Sequence, residues 1–384
     1  MQFFSRNFVK ISFVLVFLFN ISTFAYAGGG DKKDEKFNPG EMIMHHIKDS
    51  HEWHLISLGD THVAIPLPII LYTNNGLDVF FSHDLFSAKK GEHKEHSKEH
   101  KDGHDKGEHK AEEGKKDAHH EFQVLERGKN IYHFSHDKIT MADGSPVWDF
   151  SITKNVASLL ISFLLLVFVF TSVAKAYKKN AGKAPKGMQS FFEPLIIFVR
   201  DEIAHKNIAH NADRYVPYLL TVFFFIWFNN MLGLIPGGAN ATGNIAVTLV
   251  LAFFTFIITL FSAKSTYWKH IFAPHVPIPL MLILIPIEFI GIFTKPFSLM
   301  VRLFANIMAG HVIILSLISL IFIFGAMSAA SIYGVAPLSI AFSTAMMGLE
   351  MFVAILQAYV FTMLTSMYIG QAVEEPHHEE AAHH

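Results

Sequence analysis

A few side chains in the second half of the sequence have chemistry at odds with their surroundings. Arg302 lies in Ser298-Leu299-Met300-Val301-Arg302-Leu303-Phe304-Ala305-Asn306, more than twenty residues from either end of an apolar stretch running from Pro277 to Phe324. A long side chain can snorkel only near the end of such a stretch. An arginine at mid-helix in a bilayer costs about 2.5–3.5 kcal/mol on insertion scales, and it stays charged there. Two readings compete: a structural ion pair, or an essential charge on an ion path. The second is favoured because intramembrane ionisable groups are functional by default. Glu288, Lys295 and Arg302 follow one another at seven-residue steps. On an ideal helix such steps drift by about 20° each, so the three form one stripe. Asn306 adds the next turn at i+4. His311, nine residues beyond Arg302, points to the opposite face at about 100° per residue. Further on, Glu350 and Gln357 are again seven apart and share a face. Two helices thus present a charged stripe one way and titratable groups another. Taken alone, Glu288 or Asn306 also fits a satisfied interhelical hydrogen bond. Asn229-Asn230, close to Pro236-Gly237-Gly238, reads as a helix-end feature.

The elements that must hold these groups are membrane helices. Of 384 residues, 51% are hydrophobic and only 17% charged, and 38 are phenylalanine. A soluble domain carries about 25% charged residues, so this chain has too little charge to clothe a water-facing surface. That excludes a soluble enzyme, and the net charge of −2 gives no case for nucleic acid. With no cysteine there is no disulfide framework and no thiolate site. About twenty apolar residues cross a bilayer core. Val156–Val173, Val216–Ile235 and Gly243–Ser262 each qualify. Lys175, Lys178, Lys179, Lys183 and Lys186 follow the first span, and Lys264, Lys269 and His270 follow the third. The positive-inside rule puts both clusters in the cytoplasm. Phe191–Ala209 mixes apolar with charged residues and reads as an amphipathic interfacial helix. The last two segments, Pro277–Phe324 and Ala336–Ile369, are too long for upright spans, at about 70 and 50 Å. Pro296 could break the first of them. Two consecutive over-long segments favour an oblique hairpin that turns near Gly325–Gly334.

The N-terminal part is polar. Arg6 and Lys10, the apolar run Ile11–Phe19 and Ala25-Tyr26-Ala27 have the layout of a signal peptide over residues 1–27. The mature N-terminus is then outside the cytoplasm, as in a bacterial envelope protein. Within residues 28–152, His51–Ser57, Thr61–Tyr72, Gly76–His83, Phe122–Glu126, Lys129–Phe134 and Pro146–Ile152 read as strands of a small β-rich extracytoplasmic module. Lys89–His120 holds nine Lys, nine Asp or Glu and a run of histidines. Such composition favours a solvated, disordered spacer over a metal site, which would need fixed geometry. The tail over residues 371–384 is polar and His-rich in the same way. The fold expected is an all-α polytopic membrane protein of about five spans (residues 153–370), carrying that module.

Lys295-Pro296-Phe297-Ser298-Leu299 running into Arg302-Leu303-Phe304-Ala305-Asn306 and Ala309-Gly310-His311, with Glu350 and Leu356-Gln357-Ala358-Tyr359-Val360-Phe361, closely resembles subunit a of F-type ATP synthase. The resemblance covers roughly residues 155–370 and leaves out the N-terminal module. It implies that Arg302 is a stator arginine facing the carboxylates of a rotor ring of c subunits. Glu288, Asn306, His311, Glu350 and Gln357 would then line two ion half-channels. The implied partners are that ring, the peripheral-stalk b subunit and the soluble F1 head, in a bacterial inner membrane with the C-terminus cytoplasmic. No cofactor is implied. Many bacterial relatives carry an acid at the position of His311 and a histidine at that of Glu350. The exchange suggests that the two side chains meet across the hairpin. No G-x-x-x-x-G-K-[ST] loop occurs, so nucleotide chemistry would fall to other subunits. The rival from another class is a stand-alone secondary transporter of protons or metal ions fed by the His-rich loop.

Overall fold

The computed structural model describes residues 38–58, 61–86, 89–91, 122–127, 130–135, 138–180, 182–208, 211–235, 238–274 and 276–374. The expected signal peptide, most of the charged insert and the His-rich tail lie outside these residues. The described chain divides into two compact units, one helical and one built mainly from residues 64–154.

In chain order the elements are α1 (Pro39–Ile47), β1 (Glu52–Leu58), β2 (Thr61–Pro66), β3 (Pro68–Thr73), β4 (Gly76–Phe81), α2 (Ser82–Phe86), β5 (Lys89–Gly91), β6 (Phe122–Arg127), β7 (Asn130–Ser135), β8 (Lys138–Met141) and β9 (Trp148–Asp149). The helices of the second half are α3 (Lys154–Lys179), α4 (Met188–Ile197), α5 (Ala212–Gly233), α6 (Ile245–Ser262), α7 (Ser265–Phe272), α8 (Ile278–Met327) and α9 (Ala329–Val373). Five of these, namely α3, α5, α6, α8 and α9, are long and apolar enough to cross a membrane. A polytopic, mostly helical membrane protein is what the sequence predicts.

Phenylalanine knits the first helices together. Phe170 of α3 lies 4.7 Å from Phe224 of α5 and 5.8 Å from Phe192 of α4, centroid to centroid, while Phe192 and Phe224 are 5.7 Å apart. Such tilted and edge-on pairs stabilise beyond the area they bury. The expected amphipathic helix is α4, continued by a π-helical stretch (Phe198–Ala204) and a short turn to Asn207. The wide π-turn was not visible in the sequence. Val199, Ile203 and Ala204 in that stretch are fully buried, and Ser366 of α9 donates to the Ile203 carbonyl at 3.0 Å.

The hairpin is continuous. α8 runs fifty residues through Pro286 and Pro296, and α9 runs forty-five, with Ser328 alone between them. At 1.5 Å per residue they measure about 75 and 68 Å. Pro296 therefore does not break the segment, because membrane helices tolerate proline where neighbours and local adjustment compensate the lost hydrogen bond. The buried positions of α8 include Ile292, Leu299, Leu303, Ile307 and Ile314, a single seam at steps of seven and four. Facing it, α9 buries Ser339, Ser343, Glu350, Ala354, Gln357, Ala358 and Thr365. Small residues let two backbones approach in a medium where apolar burial alone does not drive association.

The β-rich part consists of small sheets. β4, β3 and β9 form one of three strands, and β5, β6, β7 and β8 form another of four, both antiparallel; β1 and β2 form a third, of two strands. The predicted strand Thr61–Tyr72 is split at Leu67, β8 was missed, and Lys89–Gly91 pairs with β6 although it was assigned to the spacer. Ile69, Leu71, Phe80, Leu85, Tyr132, Phe134, Ile139 and Met141 form the module's own core. Its entry and exit are clasped: Lys154 N donates to the Ser50 carbonyl at 3.0 Å, Thr153 Oγ1 to Asp49 Oδ2 at 2.8 Å, and His51 Nε2 lies 2.9 Å from Asp149 Oδ2.

Burial pushes the Asp149 carboxyl up, but hydrogen bonds from His51 and Ser151 outweigh it and hold the group down to about 2. An unfolded aspartate titrates near ~3.9. The depressed folded value therefore stabilises the module fully above about pH 4, and this is lost as pH falls through the folded value. The side chain is 34% exposed, and solvent screening leaves about 1 kcal/mol. Hydrogen exchange at the Ile69–Leu71 amides, corrected for intrinsic rates, should quicken about fivefold between pH 5 and pH 2 in the intact protein. Asp149→Asn should remove that difference. An unchanged pH response in the variant would show that the clasp contributes nothing.

Candidate functional site

α8 and α9 hold the polar groups that the sequence singled out. Along α8, Lys295 Nζ donates to Gln371 Oε1 at 2.9 Å and sits 5.5 Å from the Tyr368 ring centre. Asn306 Nδ2 donates to Gln357 Oε1 at 2.8 Å. His311 Nδ1 stands 3.3 Å from Glu350 Oε1. Partner numbers fall along α9 as they rise along α8, as an antiparallel pair requires. His311 and Glu350 do meet across the hairpin.

The Glu350 side chain is 3% exposed, and neither of its oxygens has a hydrogen bond among the described residues. Its contact with His311 has the distance of an ion pair without the alignment of a hydrogen bond. Gly310 makes the approach possible: a Cβ there would lie 2.8 Å from Glu350 Oε1 and 2.9 Å from Cδ. No side chain at 310 can coexist with this Glu350 position unless the carboxylate moves. Gln357 is equally buried, and its Nε2 has no acceptor among the described residues. A buried carboxyl and a buried amide donor, each short of partners, are costly for stability alone.

Arg302 is different. It is half-buried, reaches only Ser298 Oγ at 3.4 Å, and has no carboxylate partner among the described residues. A structural ion pair therefore finds no support there. Beside it on the helix, Ser298, Val301, Ala305 and Ala309 are exposed, so the guanidinium borders a face of small and apolar residues on α8 that the described chain leaves uncovered. Glu288 is not gathered with the others. It lies fourteen residues before Arg302, about 21 Å along the axis, where its charge acts on Tyr267 of α7 and on Lys295. From Glu288 to His311 is about 35 Å on the same count, close to the thickness of a bilayer core.

Asn229 and Asn230 lie at a helix end, as read from the sequence, but they also tie helices together. Both are buried in the last turns of α5 and bind other elements. Asn229 donates to Ser162 Oγ of α3 at 2.9 Å. Asn230 donates to the Ala354 carbonyl of α9 at 3.2 Å and accepts from Thr242 at 2.6 Å. Asn230 fastens α9 one turn from Glu350, and Asn229 fastens α3. Two adjacent amides inside an apolar run were a visible signal, but their partners, Ser162 and Ala354, lie 67 and 124 residues away.

Residues 156–370, which include all of these hairpin groups but Gln371, match the family described as ATP synthase A chain. The chain belongs to that family. Within it, the chain is similar to ATP synthase subunit a of Chloroherpeton thalassium, 45% identical over 241 residues, covering 62% of this chain and 71% of that protein. ATP synthase subunit a 2 of Chlorobium luteolum is 48% identical, over 62% of this chain and 70% of its own length. The subunit a 2 of Chlorobaculum tepidum is 47% identical, over 59% and 64%. Membership in the ATP synthase A chain family displaces the stand-alone transporter as a reading. Residues 42–155 match a separate domain of unknown function.

Proposed function

We propose that the α8–α9 hairpin is the ion-translocating face of a stator subunit in a bacterial F-type ATP synthase, with Arg302 as its fixed charge. The observation that carries this reading is the pairing of an unpartnered guanidinium on an uncovered apolar face with a buried Glu350–His311 contact behind it. A rotor carboxylate crossing lipid must be neutral, because a bare carboxylate there is prohibitive. Near Arg302 the opposite charge favours the ionised form, so the proton leaves. It departs along one half-channel and the next carboxylate is reloaded from the other. Asn306, His311, Glu350 and Gln357 line one polar path, and Glu288 belongs to another, about 21 Å away along α8. Arg302 lies between them and repels a bare cation, so ions pass only on the rotor. That separation turns ion flow into rotation.

The partners in this reading are a ring of c subunits, the peripheral-stalk b subunit and the F1 head. The lysine-rich end of α3 and the lysines that follow α6 lie in the cytoplasm, as does the C-terminus, and residues 1–27 direct the N-terminal module across the inner membrane. No nucleotide or nucleic acid binds this chain.

The absence of cysteine makes a clean test. Ala305→Cys, exposed on the face of α8 that carries Arg302, should cross-link oxidatively to a single cysteine placed in the outer helix of a ring subunit. Leu303→Cys, fully buried in the α8 seam, should not. Equal cross-linking at both positions, or none at 305, would show that another face meets the rotor.

A further inference from the structure

The N-terminal module has an apolar surface besides its core. Along a strand the side chains alternate between the two faces of the sheet, and residues opposite one another on antiparallel neighbours share a face. In the β4–β3–β9 sheet, Ile69, Leu71 and Phe80 point into the module's core. Asp78 and Asp149 stand opposite Leu71, and there they meet Tyr132 and His51. The other face of an antiparallel sheet is commonly the solvated, polar one. Here it is apolar as well. Tyr72 stands opposite Leu77 on one side and Trp148 on the other, Ile70 opposite Val79, and Pro68 opposite Phe81. None of these outward strand residues is charged. Leu77, Phe81 and Trp148 are 65%, 58% and 64% exposed, and Phe150, two residues past Trp148, is 63% exposed. Soluble monomers rarely expose a contiguous apolar patch above a few hundred Å², so this face calls for an occupant.

We propose that it rests on the lipid bilayer, in the interfacial layer beside the first membrane span. Phe150 comes only four residues before Lys154, where α3 begins, so at about 3.5 Å per residue the chain holds it within about 14 Å of the start of that span. The tether is itself lipid-facing, since α3 leaves Leu160, Phe163 and Leu164 exposed. Residue type agrees with place: tryptophan and tyrosine gather at the membrane–water boundary, where the ring is apolar and its polar atom stays wet. A protein partner fits less well. Protein interfaces carry about one hydrogen bond per 100–200 Å², whereas the outward side chains of this face offer hydrogen-bonding atoms only at Tyr72 and Trp148. Headgroups and water can meet those two in any orientation. The proposal requires that α3 crosses the membrane and is independent of how ions pass the hairpin.

The test uses the assembled complex in liposomes, with a bimane label on single cysteines placed in this cysteine-free chain. Phe81→Cys is on the proposed face, and Lys138→Cys is exposed on β8 of another sheet. With phosphatidylcholine carrying a nitroxide high on its acyl chain, fluorescence at 81 should fall by about half, because an interfacial surface sits ~5–10 Å into the headgroup boundary. The label at 138 should not respond. Dissolved iodide should quench 138 and spare 81. Leu77→Glu with Val79→Glu should abolish the nitroxide response at 81, whereas Leu77→Phe with Val79→Ile should keep it. Iodide reaching 81 as readily as 138 would leave the face in water, and neither quencher reaching 81 would mean that protein covers it. Nitroxide quenching alike at both positions would mean that no face is selected. Any of these three results overturns the proposal. If the glutamate variant fails to assemble, the contrast between 81 and 138 in the otherwise native chain decides.

Discussion

Arg302→Gln is expected to lower proton-driven ATP synthesis at least about a hundredfold, the loss that ~3 kcal/mol of electrostatic stabilisation implies, while the complex still assembles. Assembly is spared because the guanidinium does little for packing. Its hydrogen bond to Ser298 is long, and the α8 seam beside it is closed by Leu299, Leu303 and Ile307. Glutamine keeps most of the volume and removes only the charge. A rotor carboxylate reaching this point would then find no opposite charge to favour ionisation, would keep its proton, and would pass without exchanging it. Arg302→Lys should fall between the two. It restores a positive charge, but as a compact ammonium without the planar fork. Synthesis in inverted membrane vesicles, normalised to the amount of assembled complex, is the measurement. A glutamine variant that makes ATP at the native rate would remove the fixed charge from the mechanism.

How far these features were legible depends on the range of the interaction concerned. Arg302 announced itself locally, because a permanent charge more than twenty residues inside an apolar stretch is anomalous whatever surrounds it. Segment lengths likewise foretold five spans and a long hairpin. Proline at 296 was locally ambiguous, since its effect on a helix depends on neighbours that one strand of sequence does not reveal. The π-turn of Phe198–Ala204 meets Ser366 of α9, and Lys89–Gly91 pairs with β6, so both involve partners distant in the chain. The missed strand β8 is different, since it pairs with the adjacent β7, Ser135 opposite Lys138. The asymmetry is sharpest at residue 310. Ala309-Gly310-His311 was noticed for its resemblance to a family, yet the need for glycine there comes from the Glu350 carboxylate, forty residues away.

That carboxylate supports the second large effect. His311→Glu and Glu350→His, made singly, should each impair proton-driven synthesis by about tenfold or more, as the loss of a partner for a buried charged group implies. In the first variant two acids would lie where His311 and Glu350 are now 3.3 Å apart, and two such acids cannot both ionise. In the second, two imidazoles would leave no anion to hold a proton between them. The double exchange restores one acid and one base in the same space and should recover part of the activity, so the coupling term of the cycle is the quantity to measure. Gly310 supplies an internal control. Gly310→Ala places a methyl group 2.8 Å from Glu350 Oε1, and the carboxylate, 3% exposed, has little room to retreat. It should weaken native synthesis by moving Glu350 away from His311 without changing any charge. In the double exchange the residue at 350 is a shorter, differently shaped imidazole, so the alanine at 310 should have a different effect there. If the double exchange is no better than the worse single variant, and Gly310→Ala is silent in both backgrounds, the two residues touch in the fold without sharing a proton path.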